Sequence, residues 1–276
     1  MGPRAEKRVF SIACLAYPGK EPENSVLDGT RPALLKKTKE HLPSGNGGPN
    51  MLIKGDNLHA LKALLLKKRA GLIRNHDNSE GVRLVYIDPP FSTGLVFKSN
   101  DNKKAYTDKL NGAEFIEFLR KRLILLRELL SEEGSIFVHL DWKKAHYVKI
   151  VMDELFGEEN FLNDIIWHYG GRGAKSVAKQ FSRNHDIILW YRKGRHVFNR
   201  PLKGRRIRKG EGSFRMDEDG RWFKTSPRGD YTDESVSTLM RQGRIHTTRN
   251  NKVRVKYFLK EYGEYLIEES PMSDVW

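Results

Sequence analysis

The stretch Val82-Arg-Leu-Val-Tyr-Ile-Asp-Pro-Pro-Phe91 decides how the rest of the sequence is interpreted. Its first six residues are rich in apolar and β-branched side chains and predict a buried strand. The strand must end at Asp88, because Pro89 and Pro90 have no N–H groups with which to continue a ladder. Both proline carbonyls remain beside the Asp88 carboxylate, and the ring of Phe91 follows them. The stretch therefore predicts several hydrogen-bond acceptors and one aromatic ring at the carboxyl end of a strand.

This set of acceptors suits a planar base that carries an exocyclic amine. The amine would direct its two N–H groups at the Asp88 carboxylate and the Pro89 carbonyl, while Pro90 shapes the pocket and Phe91 stacks on the ring. Hydrogen bonds from both hydrogens favour a tetrahedral nitrogen and free its lone pair to attack an electrophilic methyl group held in line. Positioning and acceptor electrostatics would lower the barrier. Taken alone, an Asp-Pro-Pro run is more often a strand-ending turn.

Strand and helix patterns alternate on both sides of this stretch. The predicted elements are a strand at 51–54, a helix capped by Asp56 or Asn57, the strand at 82–87, a helix with an apolar stripe over 115–130, a strand at 134–140, a helix capped by Asp141 with Val148, Val151, Met152 and Leu155 on its core face, and strands at 163–169 and 185–191. This order predicts an α/β fold with a parallel sheet, and the last two strands form an antiparallel hairpin at its edge.

Ligands of such sheets bind at the carboxyl ends of the strands. Asp56, residues 88–91 and residues 139–141 all fall at strand ends, so we expect them at one rim of the sheet. His139 is interpreted as a packed or hydrogen-bonded residue rather than a ligand.

Composition excludes several classes of protein. The chain has 276 residues, of which 38% are hydrophobic, enough for one large domain or two modest ones. No apolar run approaches the roughly 20 residues of a membrane-spanning helix. The single cysteine, Cys14, can form neither an internal disulfide nor a zinc site, which predicts no metal centre and a reducing, cytoplasmic setting. Residues 1–50 are rich in Pro, Gly and Lys and predict an extension or linker, with a short helix at 33–41.

The formal net charge of +15 is concentrated in one block. Residues 195–260 contain 18 basic and 7 acidic residues, whereas residues 261–276 contain five acidic residues and no basic ones. Arginines interleaved with aromatic residues favour contact with nucleic acid over a merely solvated surface. The candidate nucleic-acid contacts are Arg172, Arg205, Arg206, Arg208 and Trp222.

Several stretches together resemble a known family, the permuted (β-class) amino-methyltransferases of DNA, especially the adenine-specific modification subunits of type III restriction systems. The matching stretches, in family order, are 52–61 (Leu-Ile-Lys-Gly-Asp-Asn-Leu-His-Ala-Leu), 85–94 (Val-Tyr-Ile-Asp-Pro-Pro-Phe-Ser-Thr-Gly), 134–141, 146–149, 152–157, 160–167 and 184–191. The resemblance implies a Rossmann-like S-adenosylmethionine methyltransferase core at 51–194 and an appended target-recognition region at 195–276.

The resemblance also assigns roles to residues. It makes Asp88, Pro89, Pro90 and Phe91 the catalytic motif and S-adenosylmethionine the methyl donor, with Asp56 near the donor's adenine and Asp88 beside the donor. An Asp at the first motif position favours adenine N6 over cytosine N4, for which Ser is more frequent. The expected partner is double-stranded DNA, and a restriction subunit, a homodimer and a separately encoded C-terminal half stay open.

One departure from the family pattern leaves alternatives. Family members carry, after the target-recognition region, a strand that leads into an Asp-Pro-Phe-x-Gly-x-Gly loop for the donor's methionine end, and this sequence reaches Trp276 without it. We therefore expect an incomplete sheet with an exposed edge. The alternatives to an active adenine methyltransferase are a catalytically inactive or split-enzyme DNA-binding fragment, and methyl transfer to cytosine N4 or to RNA.

Overall fold

The chain divides into two compact units. The computed structural model describes residues 13–39, 50–90, 96–98, 104–107, 112–170, 179, 181–182 and 184–276. The first unit comprises Met1–Val197 and Asp274–Trp276, and the second comprises Phe198–Ser273. Residues 274–276 thus belong with the first unit rather than with the basic region that precedes them. The roles predicted for 1–50, 51–194 and 195–276 stay predictions.

The first unit is built around a mixed four-stranded sheet. Its elements are α1 (Glu23–Gly29), α2 (Asn57–Arg69), β1 (Val82–Ile87), β2 (Val96–Lys98), β3 (Lys104–Thr107), α3 (Gly112–Leu129), β4 (Leu130–Leu140), α4 (Trp142–Phe156), a 3-10 turn (Glu158–Asn160), β5 (Phe161–His168) and β6 (His185–Arg192). The strand order is β1-β4-β6-β5, and β2 pairs with β3 separately. β1 and β4 are parallel, whereas β6 is antiparallel to both β4 and β5. The predicted α/β class is confirmed.

Three local predictions were wrong. Residues 51–54 form no strand, and Met51 and Leu52 are 67% and 99% exposed, so no packing surface stabilises an extended pair there. Of the helix predicted at 33–41, residues 33–39 are not helical and Leu34 is 97% exposed, so no buried apolar stripe stabilises a helix there, and residues 40–41 lie outside the described residues; the helix lies earlier, at α1. The strand at 82–87 is not buried, because β1 is the edge strand of the sheet: Leu84 and Tyr86 are 61% and 56% exposed.

β6 lies between β4 and β5 and is largely buried. Residues 187–191 are a continuous apolar run and are all buried, which is typical of an inner strand whose two faces are both covered. β5 is more exposed and lies outside β6. Its outer edge is met by the end of the chain, where the backbone N–H of Ile166 donates to the Asp274 carbonyl at 2.8 Å and that of His168 to the Trp276 carbonyl at 2.9 Å. The antiparallel pairing of β5 with β6 is as predicted.

The core lies between this sheet and two helices. Phe115, Leu119 and Leu123 of α3 are at most 1% exposed and pack in one cluster with the buried sheet residues Ile136 and Val138. The residues predicted for the core face of α4 are all buried: Val148, Val151, Met152 and Leu155. Each such side chain contributes roughly 1.5–3 kcal/mol through burial. The helical periodicity therefore predicted this core correctly.

Part of the predicted linker is folded against the core. Val26 of α1 is 2% exposed and joins the core cluster. Tyr17 Oη donates to Glu117 Oε2 at 2.6 Å, and Arg120 Nη1 donates to the Glu21 carbonyl at 2.9 Å. The side chains of Glu117 and Arg120 also form a buried ion pair at 3.2 Å. Residues 13–39 are thus part of the first unit's packing.

The second unit contains two small antiparallel sheets. Its elements are β7 (Leu202–Arg208), β8 (Arg215–Met216), β9 (Trp222–Pro227), α5 (Asp233–Arg241), β10 (Ile245–Thr247), β11 (Val253–Phe258), β12 (Lys260–Tyr262) and β13 (Tyr265–Pro271). The strand orders are β10-β11-β9-β8 and β12-β13-β7. Phe223, Val255 and Leu266 are at most 4% exposed and supply its buried apolar residues from β9, β11 and β13. Within the described part of the chain, no helix is both long and apolar enough to cross a membrane.

Candidate functional site

The acceptor motif follows the carboxyl end of β1. Asp88 is exposed, and Pro89 and Pro90 are partly exposed, directly after the last strand residue. The parallel ladder pairs Ile87 with Val138, which brings Asp88 to the same rim as residues 139–141. The structure therefore brings together two of the three predicted strand ends. Phe91 lies outside the described residues.

A chain of polar contacts crosses three adjacent strands next to Asp88. Tyr86 Oη and His139 Nδ1 are 2.8 Å apart, and His139 Nε2 lies 3.4 Å from Asp186 Oδ2. Partial burial, and then the negative charge of Asp88, raise the pKa of the Tyr86 phenol, so the phenol stays protonated at neutral pH. His139 is hydrogen-bonded, as predicted. Sequence reasoning missed Tyr86 and Asp186, although the position of Tyr86 two residues before Asp88 was a usable signal.

Asp56 caps a helix and keeps an exposed carboxylate. It is the N-cap of α2 and accepts from the backbone N–H of Leu58 at 2.8 Å. Its side chain is 59% exposed and lies 3.6 Å from Nη2 of Arg122, which is nearly buried. Burial lowers the pKa of Arg122 and the Asp56 charge partly offsets this, so the guanidinium stays positive. Arg122 Nε also donates to the Asn57 side chain at 2.6 Å, which holds the start of α2 against α3.

Asp141 is the second carboxylate at this rim and acts as a cap. It precedes α4 and accepts from the backbone N–H groups of Lys143 and Lys144 at 3.1 and 3.0 Å. Two of the four otherwise unpaired N–H groups at this helix start are thereby satisfied. Among the described residues, no group of three or more His, Cys, Asp and Glu side chains is arranged to hold a metal ion.

The basic block of the second unit is partly neutralised by the acidic residues that follow it. Between Phe198 and Ser273 there are 17 basic and 11 acidic residues, a net +6. Ion pairs join the two groups: Lys260 with Glu269 at 2.7 Å, Arg208 with Glu264 at 3.4 Å, Lys209 with Glu261, and Lys224 with Glu268. The positive surface is therefore smaller than the composition alone predicts.

The predicted DNA contacts do not form one surface. Arg205, Arg206 and Arg208 lie on β7, where alternation places Arg205 on one face and the other two on the opposite face. Trp222 is half-buried on β9, with its indole N–H buried. Arg172 lies outside the described residues.

A cavity of about 530 Å³ opens in the second unit on the face that carries Arg205. Its lining residues are Arg205, Ile207, Glu211, Gly212, Ser213, Phe214, Arg215, Phe223, Lys224, Thr225, Arg254 and Glu268. Arg254 is fixed by Thr225, to whose Oγ1 and carbonyl it donates at 2.9 and 3.0 Å. Sequence reasoning missed this cavity, because its wall combines strands from both sheets and a loop between them.

Comparison with known proteins gives a consistent group of relatives. The sequence pattern of a family described as DNA methylase, N6_N4_Mtase, matches residues 82–276. The type II methyltransferase M.EcaI of Enterobacter cloacae is 31% identical over 280 residues, which cover 90% of this chain and 58% of that protein. The EcoP15I Mod subunit of Escherichia coli, a type III restriction-modification enzyme, is 27% identical and covers 58% of this chain, with 26% of its own length matched. A probable type III HindVI Mod subunit of Haemophilus influenzae is 35% identical over 57% of this chain and 19% of its own length.

The chain spans less than two thirds of each of these relatives. Among solved structures, the cytosine-N4-specific PvuII DNA methyltransferase covers 50% of this chain and 47% of its own, with 16% identity and a TM-score of 0.34.

Proposed function

We propose that this chain, which belongs to the DNA methylase family, transfers a methyl group from S-adenosylmethionine to adenine N6 in double-stranded DNA. The observation that carries the proposal is the exposed Asp88-Pro89-Pro90 motif at the carboxyl end of β1, at a rim shared with His139 and Asp141. The similarity to M.EcaI and to type III Mod subunits supports it. Because those relatives are longer, the activity and substrate of the whole enzyme are part of the proposal.

The residues available for the donor fit its chemistry. S-adenosylmethionine is positively charged at sulfur and carries amino and hydroxyl donors, and when bound it supplies an electrophilic methyl group. Asp56 offers a carboxylate that is 59% exposed after it has capped α2, and Asp88 offers a second exposed carboxylate. Both can accept hydrogen bonds and balance positive charge. We assign Asp56 to the adenosyl part and Asp88 to the side of the reacting amine.

The target base must leave the duplex, since the motif can reach an exocyclic amine only when the base is unstacked. The Asp88 carboxylate and the Pro89 carbonyl then accept the two N–H bonds of the amine, and Pro90 bounds the pocket. As the nitrogen attacks, positive charge develops on it, and the Asp88 carboxylate stabilises that charge. Phe91 is assigned to stacking on the base.

Asp88→Ala tests this function. We expect the unaltered chain to produce N6-methyladenine in duplex DNA, and Asp88→Ala to lose this product while DNA affinity is largely kept, because the carboxylate acts on the amine rather than on the DNA backbone. The measurement is mass analysis of nucleosides after incubation with S-adenosylmethionine, beside DNA binding by fluorescence anisotropy. Asp28→Ala, an exposed carboxylate on α1, is the matched control.

Unchanged methylation by Asp88→Ala would overturn the residue assignment. Failure of the unaltered chain to bind S-adenosylmethionine, measured by calorimetric titration, would favour a DNA-binding fragment.

A second candidate, transfer to cytosine N4, is favoured by the family pattern, which covers both N6 and N4 enzymes by its name. The same nucleoside analysis separates the two products.

We further propose a restriction subunit as a partner, because Mod subunits of restriction-modification enzymes are among the relatives.

A further inference from the structure

The cavity of the second unit combines positive charge with an apolar wall. Arg205 of β7, Arg215 of β8 and Arg254 of β11 bring guanidinium groups from three strands of two sheets to its lining. Ile207 and Phe214 supply apolar surface in the same lining. The volume of about 530 Å³ falls within the range of small-ligand pockets, roughly 300–1,000 Å³. The cavity lining therefore offers positive charge that suits a phosphate and an aromatic ring that suits a base.

Most of the cavity's charged side chains are held by neighbours. Lys224 forms an ion pair with Glu268, and Arg254 is fixed on Thr225. Arg215 Nη1 lies 2.8 Å from His246 Nε2. Arg205 stands directly opposite Glu268 in the β7–β13 register, but Glu268 is engaged by Lys224. Within the described part of the chain, Arg205 has neither an ion pair nor a side-chain hydrogen bond, so its guanidinium is available for an anion.

The aromatic wall is set by a glycine. Gly212 has a φ of +94°, and a Cβ placed on it would lie 2.7 Å from Cε2 of Phe214. The Phe214 ring therefore packs against bare backbone, which defines its position at the cavity wall. Phe214 is half-buried, so part of its surface remains open to a ligand.

We propose that this cavity binds one unpaired nucleotide of the DNA, with the phosphate on Arg205 and the base against Phe214. The proposal rests on the proposed function only in that DNA is the ligand. The pocket is distinct from the Asp88 site, since every lining residue belongs to the second unit. Base–aromatic stacking is tolerant of sequence, so the pocket would sense an unstacked base rather than read its identity.

The test uses the full chain and two fluorescent duplexes of the same mixed sequence, one fully paired and one with a single extra unpaired adenosine. We expect at least about fivefold tighter binding of the bulged duplex, the lower end of a base–aromatic contact. Phe214→Leu should abolish this preference and leave affinity for the paired duplex unchanged. Arg205→Ala should weaken binding of the bulged duplex and reduce the steepness of its salt dependence by about one phosphate contact.

Arg249→Ala is the matched control for Arg205→Ala, because it removes an exposed arginine of the second unit that does not line the cavity. Equal affinity for the two duplexes, or equal effects of Arg205→Ala and Arg249→Ala, would overturn the proposal. Both substituted arginines are exposed, so this comparison holds even if Phe214→Leu disturbs the fold. All readouts are binding, whereas the proposed function is tested by methylation; failure of one is therefore distinguishable from failure of the other.

Discussion

At the residue scale, the charge state of His246 depends on three basic neighbours. Its Nε2 lies 2.8 Å from Arg215 Nη1, and only a neutral imidazole nitrogen can accept that hydrogen bond. Burial lowers the pKa of His246, and the charges of Arg215, Lys256 and Arg254 lower it further. The folded second unit therefore favours the neutral histidine, although its ordinary pKa of 6.5 lies close to physiological pH.

This lowered pKa predicts a pH-dependent stability. Between the folded pKa and 6.5, the unfolded chain binds more protons at His246 than the folded chain, so stability rises with pH across this window. We expect the unfolding temperature to fall as pH is lowered through about 6.5, and to fall less for His246→Gln, whose amide oxygen can still accept from Arg215. Calorimetric scans of both proteins across this window measure the difference. An identical pH dependence in the variant would contradict the assignment.

At the element scale, local signals predicted helix starts better than strands. Asp56 and Asp141 both cap helices as expected, because an N-cap acts through backbone groups only two or three residues away. The predicted strand at 51–54 failed, because a strand needs a partner that no local pattern specifies. β6 shows the converse: its apolar run indicated a buried strand but did not indicate which two neighbours would flank it.

The start of β1 depends on a close approach of two backbone segments. Gly81 has a φ of +97°, and a Cβ there would lie 2.6 Å from the Leu129 carbonyl oxygen and 2.9 Å from the Ser131 nitrogen. We expect Gly81→Ala to lower the free energy of unfolding by more than about 1 kcal/mol, because the clash is with backbone that cannot move aside. Urea unfolding of the variant and the unaltered chain measures this difference in free energy. Gly29→Ala, where a Cβ meets nothing within 4 Å, is the control, and equal stability of the two variants would refute this reasoning.

At the scale of the whole molecule, long-range polar contacts hold residues 13–39 against the rest of the first unit. Glu117 accepts from Tyr17 and Arg120 donates to Glu21, across about a hundred residues of sequence. Composition predicted a linker here, since Pro, Gly and Lys are typical of loops. The buried Glu117–Arg120 pair that receives the segment is on α3, and nothing in the segment itself indicates that partner.

Glu117→Ala should therefore have two effects. It leaves the guanidinium of Arg120, which is 3% exposed, without its buried carboxylate, and we expect a loss of about 3–5 kcal/mol in the free energy of unfolding. It should also speed proteolysis within residues 13–39, because Tyr17 loses its partner. Urea unfolding and limited proteolysis measure these effects. Glu154→Ala removes the partly exposed pair with Lys20 and should cost far less; comparable losses would argue against a special role for Glu117.

The sequence by itself determined the α/β class, the helices α2 to α4 with the core face of α4, the capping aspartates and the position of Asp88-Pro89-Pro90 after a strand. These follow from periodicity and from contacts within a few residues, which a sequence displays directly. Only the tertiary structure decided the place of β6, the docking of residues 13–39, and which arginine of β7 lines the cavity. Those features depend on contacts between segments that are far apart in the chain. The free energy of such contacts cannot be read from the pattern of neighbouring residues.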